Sequence, residues 1–302
     1  MSATPPVTTT TPATAAAASA APSLAPPPAS RRRLALGPAG TLGLLVVLTW
    51  LLVAALAPWL VPAGTQDIGA LPVFAAPDGT HWLGADYLGR DMLGRVALGA
   101  RYTVGVALVS VLLASSIGTV LALCAAVSGG WLDAVLSRGM DTLISIPSKL
   151  FALIMVAAFG SSVPLLVVTA AVIYVPGAFR IARALAINIV ALDYVIVART
   201  RGETRWHLML HEVLPNIIGP MLVDLGLRFV YVLLLLASLS FLGLGVQPPA
   251  ADWGTLVREN LGALWQGGMA VVAPALAIGS LTMAVNLLVD SLPGRAARKE
   301  VP

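Results

Sequence analysis

The sequence predicts an all-α polytopic membrane protein with six membrane-spanning helices, and three observations predict it. Of 302 residues, 58% are hydrophobic and 11% charged, with a mean hydropathy of +0.90, whereas soluble domains carry about 25% charged residues. Apolar runs of spanning length recur, and the chain has room for about six helices of ~20 residues plus loops. Ionisable residues are dense in only one long run, Tyr194 to Asn216 (YVIVARTRGETRWHLMLHEVLPN), which water must therefore reach. The net charge of +4 and pI near 9.6 do not indicate a nucleic-acid partner, because the basic residues are scattered among apolar spans. The single cysteine, Cys124, lies inside an apolar run and has no partner for an intrachain disulfide or a metal cluster.

Residues 1 to 30 carry no charge and consist largely of Ala, Thr, Pro and Ser, a composition that cannot bury enough apolar surface to order itself. A disordered tail is expected over residues 1–40. Arg31, Arg32 and Arg33 precede the first span, expected over residues 41–61. A cleaved secretory signal is the rival, since Ala55-Leu56-Ala57 has the small residues of a cleavage site. The length of the run, its 30-residue leader and Pro58 directly after the site count against it.

Residues 62–98 are rich in Gly, Pro and Asp and are expected to form a structured loop outside the membrane, containing HWLGADYLGRDMLGRVALGAR from His81 to Arg101. The core, residues 99–291, is expected to hold five more spans. The second runs from about Tyr102 to Val127 and the third from about Gly139 to Phe159, with Arg138 and Asp141 spaced to neutralise each other. The fourth runs from about Pro164 to Ala186 and ends in Phe179-Arg180-Ile181-Ala182-Arg183. A polar loop over 188–216 follows. Taken as helix, it puts Trp206, Met209 or Leu210, and Val213 on one face, with Gly202 at a turn and Pro215 where its missing N–H does no harm. The fifth span runs from about Ile217 to Leu242. After FLGLGVQPPAADWGTLV, from Phe241 to Val257, a sixth runs from about Met269 to Val289, and a tail covers 292–302.

Lys and Arg favour cytoplasmic loops. With this layout twelve of the eighteen fall on the side of both termini and the 188–216 loop, four fall on the other side, and Lys149 and Arg228 lie inside spans. Both termini are therefore expected in the cytoplasm.

Chemistry is sparse. The only lysines, Lys149 and Lys299, lack the glycines and trailing hydroxyl of a phosphate-binding loop, and H-E-x-x-H, C-x-x-C and G-x-S-x-G are absent. No enzyme is expected, and energy must come from another polypeptide. His207 and His211 have the spacing of a zinc pair but no third ligand nearby, which favours a solvated or partner-facing role. Ionisable groups among lipid tails are costly and face cavities or partner helices, so Lys149, Asp224 and Arg228 are candidates for a translocation path, and Asn286, polar but not ionisable, is a fourth on the sixth span. The alternatives are a self-neutralised Asp224–Arg228 bridge four residues apart and a Lys149 side chain that snorkels to the interface.

Together these stretches resemble the permease subunits of ABC-type importers, in the dipeptide, oligopeptide and nickel branch. The resemblance rests on the His81–Arg101 and Phe241–Val257 strings, on Arg138, Asp141 and Pro147, on the end of the fourth span, on Arg199, Gly202 and Leu214-Pro215-Asn216 with Gly202 thirteen residues before Pro215, and on Asn286 with Asp290. It implies the type I permease fold and identifies 188–216 as a cytoplasmic coupling loop that docks on a separate ATPase, with Arg199, Gly202, Glu203, Arg205, Trp206, Met209, Leu214 and Pro215 as coupling residues. It implies a place in the bacterial inner membrane as the second, C-type permease of a dipeptide importer. The expected partners are a homologous permease, cytosolic ATPase subunits that bind ATP and Mg, an extracytoplasmic substrate-binding protein, membrane lipid and a peptide substrate. This chain itself is expected to bind no cofactor. In such a path Lys149 and Arg228 would meet a peptide carboxylate, and Asp224 its amino group.

The sequence departs from the family at Glu203, at Glu212 with His211 one place early, at Leu235 where relatives carry a carboxylate, and at Val289 and Pro293, so looser helix packing is expected at Val289. Import of nickel or another small ligand is an alternative, which the lack of convergent His and Cys in the spans disfavours. A secondary carrier is another, and it would show repeated halves with broken helices.

Overall fold

A computed structural model describes residues 37–266 and 268–292. The expected N-terminal tail up to residue 36, with Arg31 to Arg33, and the basic tail from 293 lie outside these residues. The regular elements of the described residues are all helices or helical turns, with five helices long and apolar enough to cross a membrane and one bent helix pair that counts as a sixth when taken as a single broken span.

Helix α1, Pro38–Leu60, starts inside the segment expected to be tail. Pro38 opens it, where the missing N–H is harmless and the fixed φ is already helical. Its leucines are largely uncovered, as suits a helix facing lipid. Helix α2, Met92–Ser128, runs unbroken for 37 residues, about 55 Å at 1.5 Å per residue. It begins within the expected 62–98 loop because Asp91 caps it: the Asp91 carboxylate accepts the Gly94 N–H at 2.8 Å.

The third span is not the single helix expected from Gly139 to Phe159. Helices α3, Gly130–Ser145, and α4, Ser148–Phe159, meet at 83° across Ile146 and Pro147. The residue before a proline is pushed out of the helical region, and Ile146 is extended at φ −84, ψ 123. The expected Arg138–Asp141 pairing also gives way. Asp141 binds Arg180, and Asp133 binds Arg183 through two bonds, both arginines lying on the helix that follows α4. These cross-links fasten α3 to α5.

Helix α5, Val163–Val190, is capped by Ser162 and contains Pro176. Helix α6, Asp193–Thr200, follows, then a short α7, Arg205–His207, and a π-helical turn, Leu208–Val213, that runs into α8, Leu214–Phe241. Helix α9, Trp253–Glu259, and a 3-10 turn, Leu261–Trp265, lead to α10, Met269–Asp290. The looser packing expected at Val289 is not found. Val289 is 3% exposed, and a Cβ added to Gly226 of α8 would lie 2.4 Å from its Cγ2. The small residue has moved to the opposite helix, and the close approach survives.

Two apolar cores lie along α2. One joins its first half to α8, α9 and α10, and the other joins its second half to α5 and the α6–π segment. Beyond the first core lies a plate built from both motif-rich loops. Fully buried Trp253 donates its backbone N–H to Thr103 and its indole N–H to the Val96 carbonyl, both at 2.9 Å, and meets Trp50 edge-on at 4.7 Å. Asp86 and Arg90 pair at 2.7 Å, Arg95 lies 3.6 Å from Glu259, and Arg95 also donates to the Pro249 carbonyl. Buried charges persist only when paired, and here two arginines face two carboxylates.

Candidate functional site

At the other end of α2 lies an elbow formed by α6, α7 and the π turn. Helix α6 stops in a paired-bond cap: the Gly202 N–H binds the Arg199 carbonyl at 3.1 Å and the Glu203 N–H binds the Ala198 carbonyl at 3.3 Å. Gly202 sits at φ +83, a left-handed conformation that a side chain disfavours. The Thr204 hydroxyl then accepts the His207 N–H and starts the next helix.

The elbow has a covered and an uncovered face. Val195, Leu208, Met209 and Val213 are buried against α2 and α5, whereas Trp206 is 63% and Leu210 47% exposed. The single apolar face expected for Trp206, Met209 and Val213 is therefore split. A π turn adds a residue per turn, which breaks the three-to-four spacing, and it precedes Pro215, whose ring would otherwise press on the His211 carbonyl. Trp206 and Leu210 line the open side of an apolar groove of about 350 Å³, whose lining also includes Met209, Leu214 and Thr119 and Leu123 of α2.

The charged residues divide by contact rather than by burial. Arg199, Arg201, Glu203, Arg205 and His211 are all exposed, but Arg199 donates to the Val127 carbonyl at 3.1 Å, and Arg205 reaches the Ser128 hydroxyl at 3.4 Å. His207 and His211 stack at 4.6 Å, and His207 lies 3.9 Å from both Glu203 and Glu212. Among the described residues no group of three or more His, Cys, Asp or Glu is placed to hold a metal ion.

The four candidates for the path are not gathered in one place. Asp224 and Arg228 are 9% and 7% exposed and pair at 2.7 Å. Arg228 also donates to the Tyr174 carbonyl of α5 at 3.2 Å, and the Tyr174 hydroxyl donates back to the Tyr231 carbonyl at 2.9 Å. The pair clamps α8 to α5, as the bridge alternative has it. Lys149 is exposed just past the α3–α4 bend rather than in the middle of a continuous span, and Asn286 is exposed on α10. The groups that sequence reasoning missed are Asp86, Arg95, Glu259, Asp133 and Arg183. The His81–Arg101 string, where apolar residues alternate with charges, was the one available signal for the first two.

The described residues thus combine helices of membrane-spanning length with an exposed polar elbow at one end. Residues 114–299 match the family described as binding-protein-dependent transport system inner membrane component, and the chain belongs to that family. It is 34% identical over 216 residues to a glutathione transport system permease protein of Pectobacterium atrosepticum, covering 72% of each chain. It is 31% identical over 250 residues to a probable D,D-dipeptide transport system permease protein of Escherichia coli, covering 82% of this chain and 83% of the relative. A dipeptide transport system permease protein of Alkalihalophilus pseudofirmus is 28% identical over 83% of this chain and 82% of its own. The crystal structure of an amino acid ABC transporter shares the fold, with a TM-score of 0.50 at 19% identity over 68% of this chain and 93% of that one. The protein is thus a multi-pass ABC-type permease and not an enzyme, and such a component works with an ATPase and a substrate-binding protein.

Proposed function

We propose that this chain is one of two permease halves of an ATP-driven importer of di- or oligopeptides, with the elbow in the cytosol and docked on an ATPase subunit. The observation that carries the docking is the uncovered Trp206 and Leu210 beside Glu203, just beyond the Gly202 turn. An exposed indole at the rim of an apolar groove is the kind of anchor that dominates protein interfaces. ATP and Mg bind on that partner. The excess of Lys and Arg on the elbow side supports its cytosolic placement, with both termini there. The peptide substrate rests on the relatives, whose names include dipeptide and glutathione permeases.

Every residue from Asp141 to Leu150, around the α3–α4 bend, is exposed. That uncovered bend fits a homologous second permease closing a path between the two, with Lys149 facing it to meet a peptide carboxylate. Closure of the ATPases on ATP would then displace the elbow and open the path alternately to each side, because the elbow makes different contacts in the two states.

The test is reconstitution with an ATPase, a second permease and a binding protein of a peptide importer from the same organism. ATPase that co-purifies with the chain, and a cysteine at Glu203 labelled only from the cytosolic side, are expected. A chain that assembles without ATPase, or labelling from the far side, overturns the reading. Lys149→Met should slow peptide uptake and leave ATPase binding intact; unchanged uptake removes Lys149 from the path.

A further inference from the structure

Helix α2 ends without a basic residue in its last turn. A 37-residue helix leaves its last carbonyls unpaired, with a negative dipole end that favours nearby cations. Two cations do lie there, and both come from the elbow: Arg199 donates to the Val127 carbonyl, and Arg205 approaches the Ser128 hydroxyl. Beside them Val195, Leu208, Met209 and Val213 are packed in one apolar cluster with Leu123 and Val127 of α2. At the opposite end the same helix carries Arg95, Val96 and Thr103, which tie it to Glu259, Trp253 and Pro249 of the plate. The helix between is unbroken, whereas the elbow's covalent continuation, α8, begins in a π turn and contains Pro220. A straight helix transmits displacement along its axis better than one interrupted by a widened turn and a proline.

We infer that Arg199, seconded by Arg205, is a positioning residue rather than an ATPase contact: it fastens the elbow to the last turn of α2, so that elbow displacement reaches the plate along α2. This rests on the coupling role proposed above for the elbow. Within that role it separates two jobs. Trp206 and Leu210 grip the partner, and Arg199 links the gripped element to the helix that carries the motion.

The experiment compares Arg199→Met, Arg199→Lys and Trp206→Ala in the full transporter in lipid nanodiscs. It uses three readouts: amide hydrogen exchange along this chain, ATPase affinity, and ATP consumed per peptide imported. Arg199→Met is expected to speed exchange over Asp193–Thr200 about tenfold, the scale of one charge-assisted hydrogen bond, without changing exchange around Trp253. ATP per peptide should rise several-fold while ATPase affinity stays within about twofold of the parent. Arg199→Lys, which keeps a donor and a charge, should restore both exchange and coupling. Trp206→Ala should show the opposite pattern, with weakened affinity and parental exchange in α6.

Parental exchange in Arg199→Met, or a loss confined to ATPase affinity, overturns the inference. Faster exchange throughout the chain would signal general unfolding. The Arg199→Lys arm then decides, and failure of Lys to restore α6 protection also overturns the inference. If the parent chain binds no ATPase, the coupling role fails, and the exchange readout still tests the link between Arg199 and α2.

Discussion

Trp253 at the plate and Trp206 at the elbow are the same side chain in opposite settings. The first is 0% exposed, with both of its N–H groups bonded across the fold, and the second is 63% exposed. Their surroundings differ in the same sense. Plate charges are buried in pairs, as with Asp86 and Arg90 at 9% or less side-chain exposure, whereas Glu203 and His207 at the elbow keep roughly 40%. A buried aromatic bonded to two distant segments stabilises the fold. An exposed one in a short helix flanked by solvated charges is the anchor that the reading proposed above gives to a partner. The two ends are thus distinguished by burial rather than by residue type.

The largest expected effect is at the plate. Trp253→Ala should cost about 3–5 kcal/mol from the lost apolar burial and the cavity left behind, seen as a large drop in the thermal unfolding midpoint in detergent; a stability change as small as that of Trp206→Ala would erase the contrast between the two ends. Asp224→Ala, in the clamp between them, should cost roughly 3 kcal/mol because it strands a buried Arg228. The same measurement checks it, and Asp224→Ala combined with Arg228→Leu should recover much of the loss. Gly202→Val should cost about 1–2 kcal/mol at the left-handed turn, with hydrogen exchange rising in the elbow and not at the plate, and transport per ATP should fall. Trp206→Ala should change stability by less than about 0.5 kcal/mol yet weaken ATPase binding by about tenfold or more, measured by titration in nanodiscs.

The smallest effect is a pH dependence at the plate. Burial raises the Glu259 carboxyl above its usual value, against the opposing pull of Arg95 and Arg90, and burial raises Asp252 too, against its hydrogen bonds from Ser240 and from backbone N–H groups. An acid whose folded pKa is raised binds its proton more readily in the folded state. Its contribution is therefore full below the unfolded value and is lost as pH rises through the folded one. Acidifying through the range just above ordinary carboxylate values should raise the unfolding midpoint slightly, and Glu259→Gln should flatten that slope. A midpoint that falls on acidification in the parent chain but not in Glu259→Gln would reverse the assignment.

Much of the site was legible because its signals are local. The Gly202 turn and the polarity of the elbow follow from neighbours within a few residues, whereas the Thr204 and Asp91 caps, equally local, were not read. Pro147 was a local signal as well, and reading hydropathy across it hid the broken span. The split of Trp206 from Met209 was not legible, since a π turn has no composition of its own and the helical spacing assumed on either side of it fails within it.

Hydropathy is a sum over consecutive residues, so the sequence by itself determined the number and order of the spans, the one water-accessible elbow and the lack of a nucleotide loop. The tertiary structure alone decided which charges meet across helices. Asp141 turned from Arg138 to Arg180, Arg95 found Glu259, Gly226 made room for Val289, and Arg199 reached back to α2. Each of these pairings joins residues from different helices, and a pairing between helices depends on how their faces pack, which no run of neighbouring residues encodes.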